Sequence, residues 1–506
     1  MSGKAKVGPW RLVLVTLAAI VEIALTVTLL NYFYTQFAWI ETLLRLASLL
    51  IVLLLIRFSR HLSSDLMWIL LIIVSPVVGT AAYLLLGANL FLGGTYKSIV
   101  AETERAKPFF GERPDDLAAI EHELPDLAGQ FRHLVREGFP TYRNTGFSYF
   151  GLGEEGFPHM LEDLEGAQRF IFLEYFIIEP GVMWDAMLEV LSRKAAEGVD
   201  VRVLYDDIGS VGTLPKHYAR KLEKIGIRCE PFNRANPIVN IFVNHRDHRK
   251  ILVIDCKVAY SGGINLADEY INAVEKFGHW KDNVIRVTGE AVWSYTVTFL
   301  SMWNALRHDT DSYERFRAEP LPGEPDGFVC PYAETPLSRD KCGQDVYLNI
   351  INQARDYCYI VTPYLIIDTD MENALILAAR RGVDVRIVTP GVPDKKVIWD
   401  VTRSYYATLI AGGVRIFEYT PGFVHAKVFV ADGRVATVGT LNLDYRSLYL
   451  HFENGTLLAG SRVVEQIAAD VRATIQVSHE MALEESLFGL RHEFVASVLR
   501  LLAPLL

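Results

Sequence analysis

Cysteines are few in this 506-residue chain, and they are scattered along it. The five cysteines form no Cys-x-x-Cys pair and no Cys/His group with metal-ligand spacing. This argues against a disulfide framework and against structural zinc. They are Cys229, Cys256, Cys330, Cys342 and Cys358.

The chain also lacks an excess of positive charge. It has 50 Lys and Arg against 60 Asp and Glu, which gives a net charge of −10. A protein that binds nucleic acid through its phosphates normally shows the opposite balance, so we expect no nucleic-acid partner. The acidity does not favour an anionic lipid surface either. Any attraction for phosphate must therefore come from a local site.

Long apolar runs, by contrast, are present near the N-terminus, at residues 12–30, 40–56 and 66–87. The first and third reach the roughly 20 residues that cross a bilayer as a helix. The middle run is shorter and carries Glu41 and Arg45, which are spaced to pair on a helix. No small-residue cleavage site follows the first run, which favours an uncleaved anchor over a signal peptide.

A pattern of His, Lys, Asp, Gly and Asn occurs twice in the chain. Residues 248–265 read HRKILVIDCKVAYSGGIN, and residues 425–442 read HAKVFVADGRVATVGTLN. Both copies place these residue types at the same spacing. At typical residue frequencies one such match is an accident of about one in ten thousand. Two matches are therefore a duplicated functional motif.

The spacing of the motif predicts a shared site. Side chains two positions apart on a strand point to the same face, so His248 and Lys250 lie together. Asp255 ends the run at a turn, and Gly262 lets the chain bend back until Asn265 rejoins the site. The second copy does this with His425, Lys427, Asp432, Gly439 and Asn442.

These residue types suit the cleavage of a phosphodiester. Without a metal, such a site needs cations on the phosphate oxygens, a nucleophile, and an acid for the departing alcohol. Two lysines neutralise charge and two asparagines donate hydrogen bonds. One histidine attacks phosphorus, and the other protonates the leaving oxygen and then deprotonates the incoming alcohol. The motif itself is symmetric, so both assignments of His248 and His425 remain open at this point.

The double pattern is the HxKxxxxD signature, and the chain resembles the bacterial cardiolipin synthases of the phospholipase D superfamily. A membrane-segment spacing, WxxxxxxxPxxGxxxYxxxG, and the final RLLAPLL extend the likeness over nearly the whole chain. The resemblance implies a phosphatidyltransferase that joins two phosphatidylglycerols to give cardiolipin and glycerol through a phosphohistidine. It implies no cofactor and no metal, and His248 as the nucleophile.

The resemblance also implies the site residues. The motif residues expected in the catalytic set are His248, Lys250, Asp255, His425, Lys427 and Asp432. Those expected to bind phosphate or to support the histidines are Asn265, Asn442, Glu453 and Asp282.

Within this set, the motif aspartates end strands, and we expect them mainly to organise turn geometry. Glu453 matches the family position of the carboxylate that orients a histidine through its second ring nitrogen. Asp282 is its counterpart in the first half by strand position.

Other side chains are weaker candidates. Tyr175 and Tyr364 are expected at equivalent strand ends, where they either line the cleft or belong to the core. His245 and Arg246 are expected at the rim.

The sequence around the motifs repeats as well. LSRKAAEGVDVRVLYDD (191–207) parallels LILAARRGVDVRIVTPG (375–391), and apolar strands precede both segments. Alternating strands and helices predict an α/β fold with two similar lobes, each a mixed, mostly parallel sheet covered by helices. We predict these parts: membrane region 1–93, linker 94–141, first lobe 142–318, second lobe 328–480, and C-terminal amphipathic helix 481–506.

The predicted location is the cell membrane, with several membrane passes. Two spans would place the lobes in the cytoplasm and three would place them outside, and the resemblance favours the cytoplasm. The expected partners are phosphatidylglycerol and cardiolipin.

A membrane-bound phospholipase D that hydrolyses phospholipid to phosphatidic acid is the main alternative, because it needs the same residues with water as acceptor. The acidity disfavours a nuclease, and two intact motifs disfavour a non-catalytic scaffold.

Overall fold

The computed structural model describes residues 28, 38–58, 62–84, 94–234, 245–321, 326–338, 340–487 and 498–500. The chain forms two compact units, Met1–Leu90 and Phe91–Leu506. The helices are α1 Ala38–Phe58, α2 Leu62–Val74, α3 Pro76–Ala82, α4 Gly94–Phe110, α5 Pro114–Glu123, α6 Ala128–Arg136, α7 Gly153–Glu165, α8 Val182–Ala196, α9 Tyr218–Glu223, α10 Val292–Arg307, α11 Cys342–Gln353, α12 Thr369–Arg380, α13 Lys396–Ser404, α14 Tyr406–Ala411, α15 Arg462–Gln476 and α16 Leu483–Ser486.

The strands follow the same order along the chain. They are β1 Thr145–Phe150, β2 Phe170–Tyr175, β3 Asp200–Asp206, β4 Arg228–Phe232, β5 Arg246–Asp247, β6 Lys250–Ile254, β7 Val258–Gly262, β8 His279–Lys281, β9 Val284–Gly289, β10 Phe328–Glu334, β11 Tyr357–Val361, β12 Leu365–Ile366, β13 Asp384–Pro390, β14 Arg415–Tyr419, β15 Gly422–Val424, β16 Val428–Ala431, β17 Val435–Gly439, β18 Leu443–Asp444, β19 His451–Ala459 and β20 Ser478–Glu480.

In the first unit, α1 is the only described helix long and apolar enough to cross a membrane, over Trp39–Phe58. It has 21 residues, more than the middle apolar run suggested. Arg45 pairs with Glu41 at 2.6 Å, the contact that their spacing predicts. The first apolar run, apart from Thr28, lies outside the described residues.

The third apolar run is not one helix, and the expectation that it spans the membrane as a single segment is wrong. Helix α2 has 13 residues and ends at Val74, and α3 begins at Pro76. Proline has no N–H to donate and its ring clashes with the preceding turn, so the helix breaks there. An α2 of this length is too short to cross a bilayer alone.

The aromatic and small residues of the membrane-segment motif shape this bend. Trp68 and Tyr83 meet edge to face, with ring centroids 5.7 Å apart. Gly79 lies directly against the backbone of Leu71, where any Cβ would collide with the carbonyl group. Ser48 on α1 donates a hydrogen bond to the Pro76 carbonyl at 2.9 Å, which ties α1 to the bend.

The second unit contains two lobes with the same strand order. The first sheet runs β1-β9-β7-β6-β2-β3-β4, and the second runs β10-β19-β17-β16-β11-β13-β14-β20. The prediction of two similar α/β lobes is confirmed, but the prediction of mostly parallel sheets is wrong. In the first sheet only β2-β3 and β3-β4 pair in parallel. Its other neighbours are antiparallel.

Tight hairpins account for the antiparallel pairing of β6 with β7 and of β16 with β17. Asp255 and Cys256 both have positive φ, and Lys257 N–H donates to the Ile254 carbonyl at 2.9 Å. Two residues of positive φ closed in this way form the type I′ turn that joins antiparallel strands. Asp432 and its following glycine turn β16 into β17 in the same manner. The motif strand thus lies antiparallel to both of its neighbours in each lobe.

The segment 94–141, expected to be a linker, instead forms α4, α5 and α6. Tyr96, Ile99 and Phe110 of α4 are buried in the core that also contains α10 and residues of both sheets. Phe131 of α6 is buried in the core of the second lobe. This segment is therefore part of the packed second unit. Of the predicted C-terminal amphipathic helix, residues 488–497 and 501–506 lie outside the described part of the chain.

Candidate active site

Two short strand pairs between the lobes bring the duplicated motifs together. Strand β5, just before His248, pairs in parallel with the start of β19 in the other lobe. Strand β15, just before His425, pairs in parallel with β8. The backbone N–H of His248 donates to the Phe452 carbonyl at 2.9 Å, and that of His425 donates to the Lys281 carbonyl at 2.7 Å. Each histidine is thus anchored to the opposite lobe.

The carboxylates that hold the histidines are exchanged between the lobes. Nδ1 of His248 lies 2.9 Å from Oε1 of Glu453, which belongs to the second lobe. Nδ1 of His425 lies 2.7 Å from Oδ2 of Asp282, which belongs to the first. An Nδ1–H bonded to a carboxylate leaves the Nε2 lone pair free for attack or proton transfer. Both residues named from the sequence as supports lie where such a role requires.

The two carboxylates have different surroundings. Thr440 donates its hydroxyl to Glu453. Gly263 is at the equivalent motif position in the first lobe, and a Cβ there would collide with the carboxylate of Asp282. Burial raises the pKa of the Asp282 carboxyl, but the charge and hydrogen bond of His425 outweigh it and leave that pKa below its ordinary value. Burial raises the pKa of the Glu453 carboxyl, and Lys250 opposes this effect.

Both motif lysines are buried beside the histidines. Nζ of Lys250 donates to the His248 carbonyl at 2.6 Å, and Lys427 donates likewise to the His425 carbonyl. Burial lowers the pKa of Lys250 to about 7 and that of Lys427 to about 8. The charge of each lysine also lowers the pKa of the histidine in the opposite lobe. Two buried ammonium groups in one centre favour the binding of phosphate oxygens.

The pKa values of both histidines are shifted toward the neutral imidazole form. Burial lowers the pKa of His425 to about 4, and the charge of Lys427 acts in the same direction. Burial and the charge of Lys250 lower the pKa of His248 well below its ordinary value. A neutral imidazole has the lone pair that a nucleophile or general base requires.

The motif asparagines are buried at the same centre, and both have partners within the protein. Asn265 accepts a hydrogen bond from Ile177 N–H at 3.0 Å and donates to the Tyr270 hydroxyl at 2.7 Å. Asn442 donates to Asp444, while its Oδ1 is buried without a partner in the described part of the chain. In this structure the two amides brace the loops around the lysines.

The structure does not bring the motif aspartates to this centre. Asp255 lies past the far end of β6, where its carboxylate accepts backbone N–H groups of Gln168, Arg169 and Phe170. Asp432 does the same for three backbone N–H groups of residues 355–357. Five residues of strand separate each aspartate from its motif lysine, or about 16 Å. Both aspartates fix the turn and the neighbouring strand, as the turn-organising interpretation expects.

The two strand-end tyrosines are not equivalent. Tyr175 is buried opposite Lys250 in the β2·β6 pairing. In the second lobe Val361 pairs with Val428, so the residue opposite the motif lysine there is Thr362 and not Tyr364. Tyr364 lies two residues further and donates to Asp394 at 2.7 Å. The expected equivalence is therefore off by two residues.

Two rings beside the histidines were not identified from the sequence. His451 lies 5.6 Å from His248 between ring centroids, and Trp280 lies 5.5 Å from His425. Each stands two residues before a supporting carboxylate. That spacing places them on the same strand face as the carboxylate and is the signal that could have found them.

Among the described residues, one group of side chains lies close enough to hold a metal ion: His248, His451 and Glu453, with ligand atoms within 4.8 Å of one another. Lys250 adds positive charge directly beside them, and its effect on both His248 and His451 is repulsive. These surroundings oppose a divalent cation and suit an anion.

Comparison with known proteins agrees with this geometry. Residues 160–303 and 347–475 match the family described as cardiolipin synthase, PLD-like domain. The cardiolipin synthase of Halalkalibacterium halodurans is 33% identical over 88% of this chain and 90% of its own length. That of Oceanobacillus iheyensis is 34% identical over 87% and 93%. An uncharacterized protein of Streptococcus mutans is 44% identical over 90% and 99%.

A solved structure shares the fold of the lobes. The phosphatidylserine synthase of Haemophilus influenzae superposes with a TM-score of 0.57 at 17% identity, over 74% of this chain and 98% of its own. The duplicated motif, the crossed histidine–carboxylate pairs and the extent of the match converge on one conclusion. The chain belongs to the cardiolipin synthase family of phospholipase D-like proteins, and it is an enzyme.

Proposed function

We propose that this enzyme is a membrane-bound cardiolipin synthase, which transfers a phosphatidyl group from one phosphatidylglycerol to another and releases glycerol. The observation that carries the proposal is the pair of buried histidines, each held at Nδ1 by a carboxylate of the opposite lobe, with two buried lysines beside them. This arrangement supplies a nucleophile, an acid–base group and phosphate-binding charge without a metal.

The proposed reaction has two steps. Nε2 of His248 attacks the phosphorus of the first phosphatidylglycerol, and the bond from phosphorus to the glycerol oxygen breaks. His425, which takes up a proton at Nε2 beside the bound phosphodiester anion, gives that proton to the glycerol oxygen, so glycerol leaves and a phosphatidyl-histidine remains. His425 then takes the proton from a hydroxyl of a second phosphatidylglycerol, whose oxygen attacks phosphorus and frees His248. Lys250 and Lys427 neutralise the phosphate oxygens throughout.

The membrane region supports the same proposal. Donor and acceptor are both lipids, and α1 is long and apolar enough to anchor the enzyme where they reside. We propose a multi-pass arrangement in the cell membrane with the lobes in the cytoplasm. Exclusion of water from the buried pair of histidines favours a lipid hydroxyl over water as acceptor.

Product analysis tests the function directly. Purified enzyme given phosphatidylglycerol alone should form cardiolipin and glycerol in equal amounts, measured by mass spectrometry of the lipids and an assay for free glycerol. The reverse reaction with excess glycerol should convert cardiolipin back to phosphatidylglycerol. If phosphatidic acid is the dominant product, water is the acceptor and the enzyme is a phospholipase D instead.

The buried lysines predict a fall in activity at alkaline pH. Each lysine must be protonated to neutralise phosphate, and the pKa values are about 7 for Lys250 and about 8 for Lys427. As pH rises through these values the free enzyme loses its positive charge. We expect log(kcat/KM) to fall with a slope of about −1 per pH unit that steepens toward about −2 as this coupled pair titrates.

The measurement is kcat/KM for phosphatidylglycerol across neutral and alkaline pH. Lys250→Arg is the matched variant, because a guanidinium keeps its proton in this range. Its residual activity should show a shallower alkaline fall than the wild-type enzyme. A flat wild-type profile at alkaline pH would contradict the assignment of the lysines.

A further inference from the structure

The two flanks of the active site differ in chemistry, although the lobes are related by an approximate two-fold repeat. Beside His248, the register of β5 and β19 pairs Arg246 with His451. Beside His425, the register of β15 and β8 pairs Phe423 with Trp280. One flank is therefore cationic and the other aromatic.

The rings themselves occupy matching places. His451 meets His248 with centroids 5.6 Å apart and planes at 46°. Trp280 meets His425 at 5.5 Å and 44°. Because the geometry is the same, the exchange of an indole for an imidazole changes what the flank can bind and leaves its packing intact.

His451 is buried beside His248. It is 8% exposed, and neither ring nitrogen has a partner among the described residues. Its Nδ1 lies 3.6 Å from Oε1 of Glu453, which is already bonded to His248. A buried polar ring left in this state costs free energy, so a ligand that supplies the missing partner is favoured.

Arg246 adds a positive charge at the same place. It is 9% exposed and has no carboxylate within ion-pair distance in the described part of the chain. Its guanidinium donates to the carbonyl of His245 at 3.2 Å. Nε2 of His245 and the hydroxyl of Tyr96 are also buried without a hydrogen-bond partner among the described residues. The centroids of these two rings are 5.6 Å apart.

The nearby carboxylates of the described residues form hydrogen bonds to backbone N–H groups rather than ion pairs with the Arg246 guanidinium. Asp206 accepts backbone N–H groups of Ile208, Gly209 and Asp247. Asp444 accepts the backbone N–H of Ser447. The flank therefore presents a buried cation and open donors, and no carboxylate in the described part of the chain forms an ion pair with Arg246.

We propose that Arg246 and His451 form the subsite that binds the phosphate of the acceptor phosphatidylglycerol. This inference rests on the proposed function. The two phosphates of cardiolipin are joined by one glycerol, so the second phosphate must bind one glycerol length from the first. Arg246 stands two strand residues from His248, about 7 Å along the strand, which suits that separation, and His451 is its partner in the β5·β19 register. A guanidinium and an imidazole N–H are well matched to phosphodiester oxygens.

Competition between a charged and an uncharged acceptor tests the subsite. Cardiolipin formation uses phosphatidylglycerol as acceptor, and exchange of labelled glycerol into phosphatidylglycerol uses an acceptor without phosphate. Both reactions pass through the same phosphatidyl-enzyme. In Arg246→Phe and His451→Trp, which carry aromatic side chains like those of the other flank, the ratio of cardiolipin formation to exchange should fall on the order of tenfold or more.

The fall should come from a raised KM for the acceptor lipid. Arg246→Lys and His451→Gln, which keep a cation and a donor, should lose less of the ratio than the aromatic variants. His122→Gln, an exposed histidine on α5, is the control and should keep the wild-type ratio. Detectable glycerol exchange shows that each variant is folded.

Two other outcomes separate the hypotheses. If the wild-type enzyme yields phosphatidic acid and no cardiolipin, the proposed function fails before any variant is compared. If it yields cardiolipin but the variants keep the wild-type ratio, or lose both reactions equally, the proposed function stands and the acceptor subsite is wrong.

Discussion

Replacing either His248 or His425 with alanine should abolish cardiolipin formation. Both imidazoles act in one reaction cycle, and removal of one member of such a unit costs on the order of 10⁶-fold in kcat. The alanine variants lose the nucleophile or the acid–base group, while the lysines that bind phosphate remain. The measurement is cardiolipin formed per enzyme by mass spectrometry, with extraction into detergent as evidence that membrane insertion is intact.

The control for this pair is His159→Ala, because His159 is half exposed in α7 and stacks on Phe150 away from the site. It should retain activity. Acid quenching with acyl-labelled phosphatidylglycerol should leave label on the peptide that contains His248. Label on the peptide with His425 would reverse the two roles, and substantial turnover in either alanine variant would remove the paired-histidine mechanism.

The second large effect is expected at the crossed carboxylates. Glu453→Gln and Asp282→Asn keep size and hydrogen bonding but lose the charge that holds Nδ1–H toward the carboxylate. The wrong tautomer then directs a proton at the phosphate, and such a change costs about 10⁴-fold in an enzyme whose histidine is oriented in the same way. We expect kcat to fall by about 10²- to 10⁴-fold with a smaller change in KM.

Steady-state kinetics with phosphatidylglycerol measure this effect. Glu314→Gln is a matched control, since Glu314 is half exposed and pairs only with the nearby Arg317 among the described residues. Asp282→Glu tests the fit of this carboxylate. Gly263 packs closely against the carboxylate of Asp282, so a longer side chain has little room there. A less than tenfold change in kcat for both amide variants would show that the carboxylates do not set the tautomer.

The centre of the site was predictable because its spacing is local. Alternation on a strand places His248 beside Lys250, and both are buried at one strand end as expected. Glu453 was identifiable by its offset, and Asp282 by its strand position. Their exchange between lobes depends on β5 and β15, two- and three-residue strands that no periodicity reveals.

The errors in the fold also have physical origins. The Asp432–Gly433 pair is a hairpin signal, and it outweighs the alternation of strands and helices that predicted parallel pairing. The linker prediction relied on polar composition, whereas burial of Tyr96, Ile99 and Phe110 needs only a few well-placed apolar residues. The third membrane run was judged by hydropathy, which does not register the break at Pro76.

The asymmetry of the flanks escaped prediction for a related reason. His451 and Trp280 carry no shared residue type, so a search for repeats passes over them. The register of β19 with β5, and of β8 with β15, shows that they are equivalent positions.

The exchanged carboxylates constrain how a chain of this kind can originate. A single lobe holds one histidine and one carboxylate that are not partners of each other, so a one-lobe ancestor would need a two-fold dimer to form the same pairs. In that dimer every position is duplicated, and both flanks are chemically identical. Once the two lobes are fused in one chain, the two flanks can differ in sequence. One flank can then keep an aromatic pair while the other gains Arg246 and His451. A dimer with two equal halves treats both alcohols alike, whereas a fused chain can tell the one that leaves from the one that arrives.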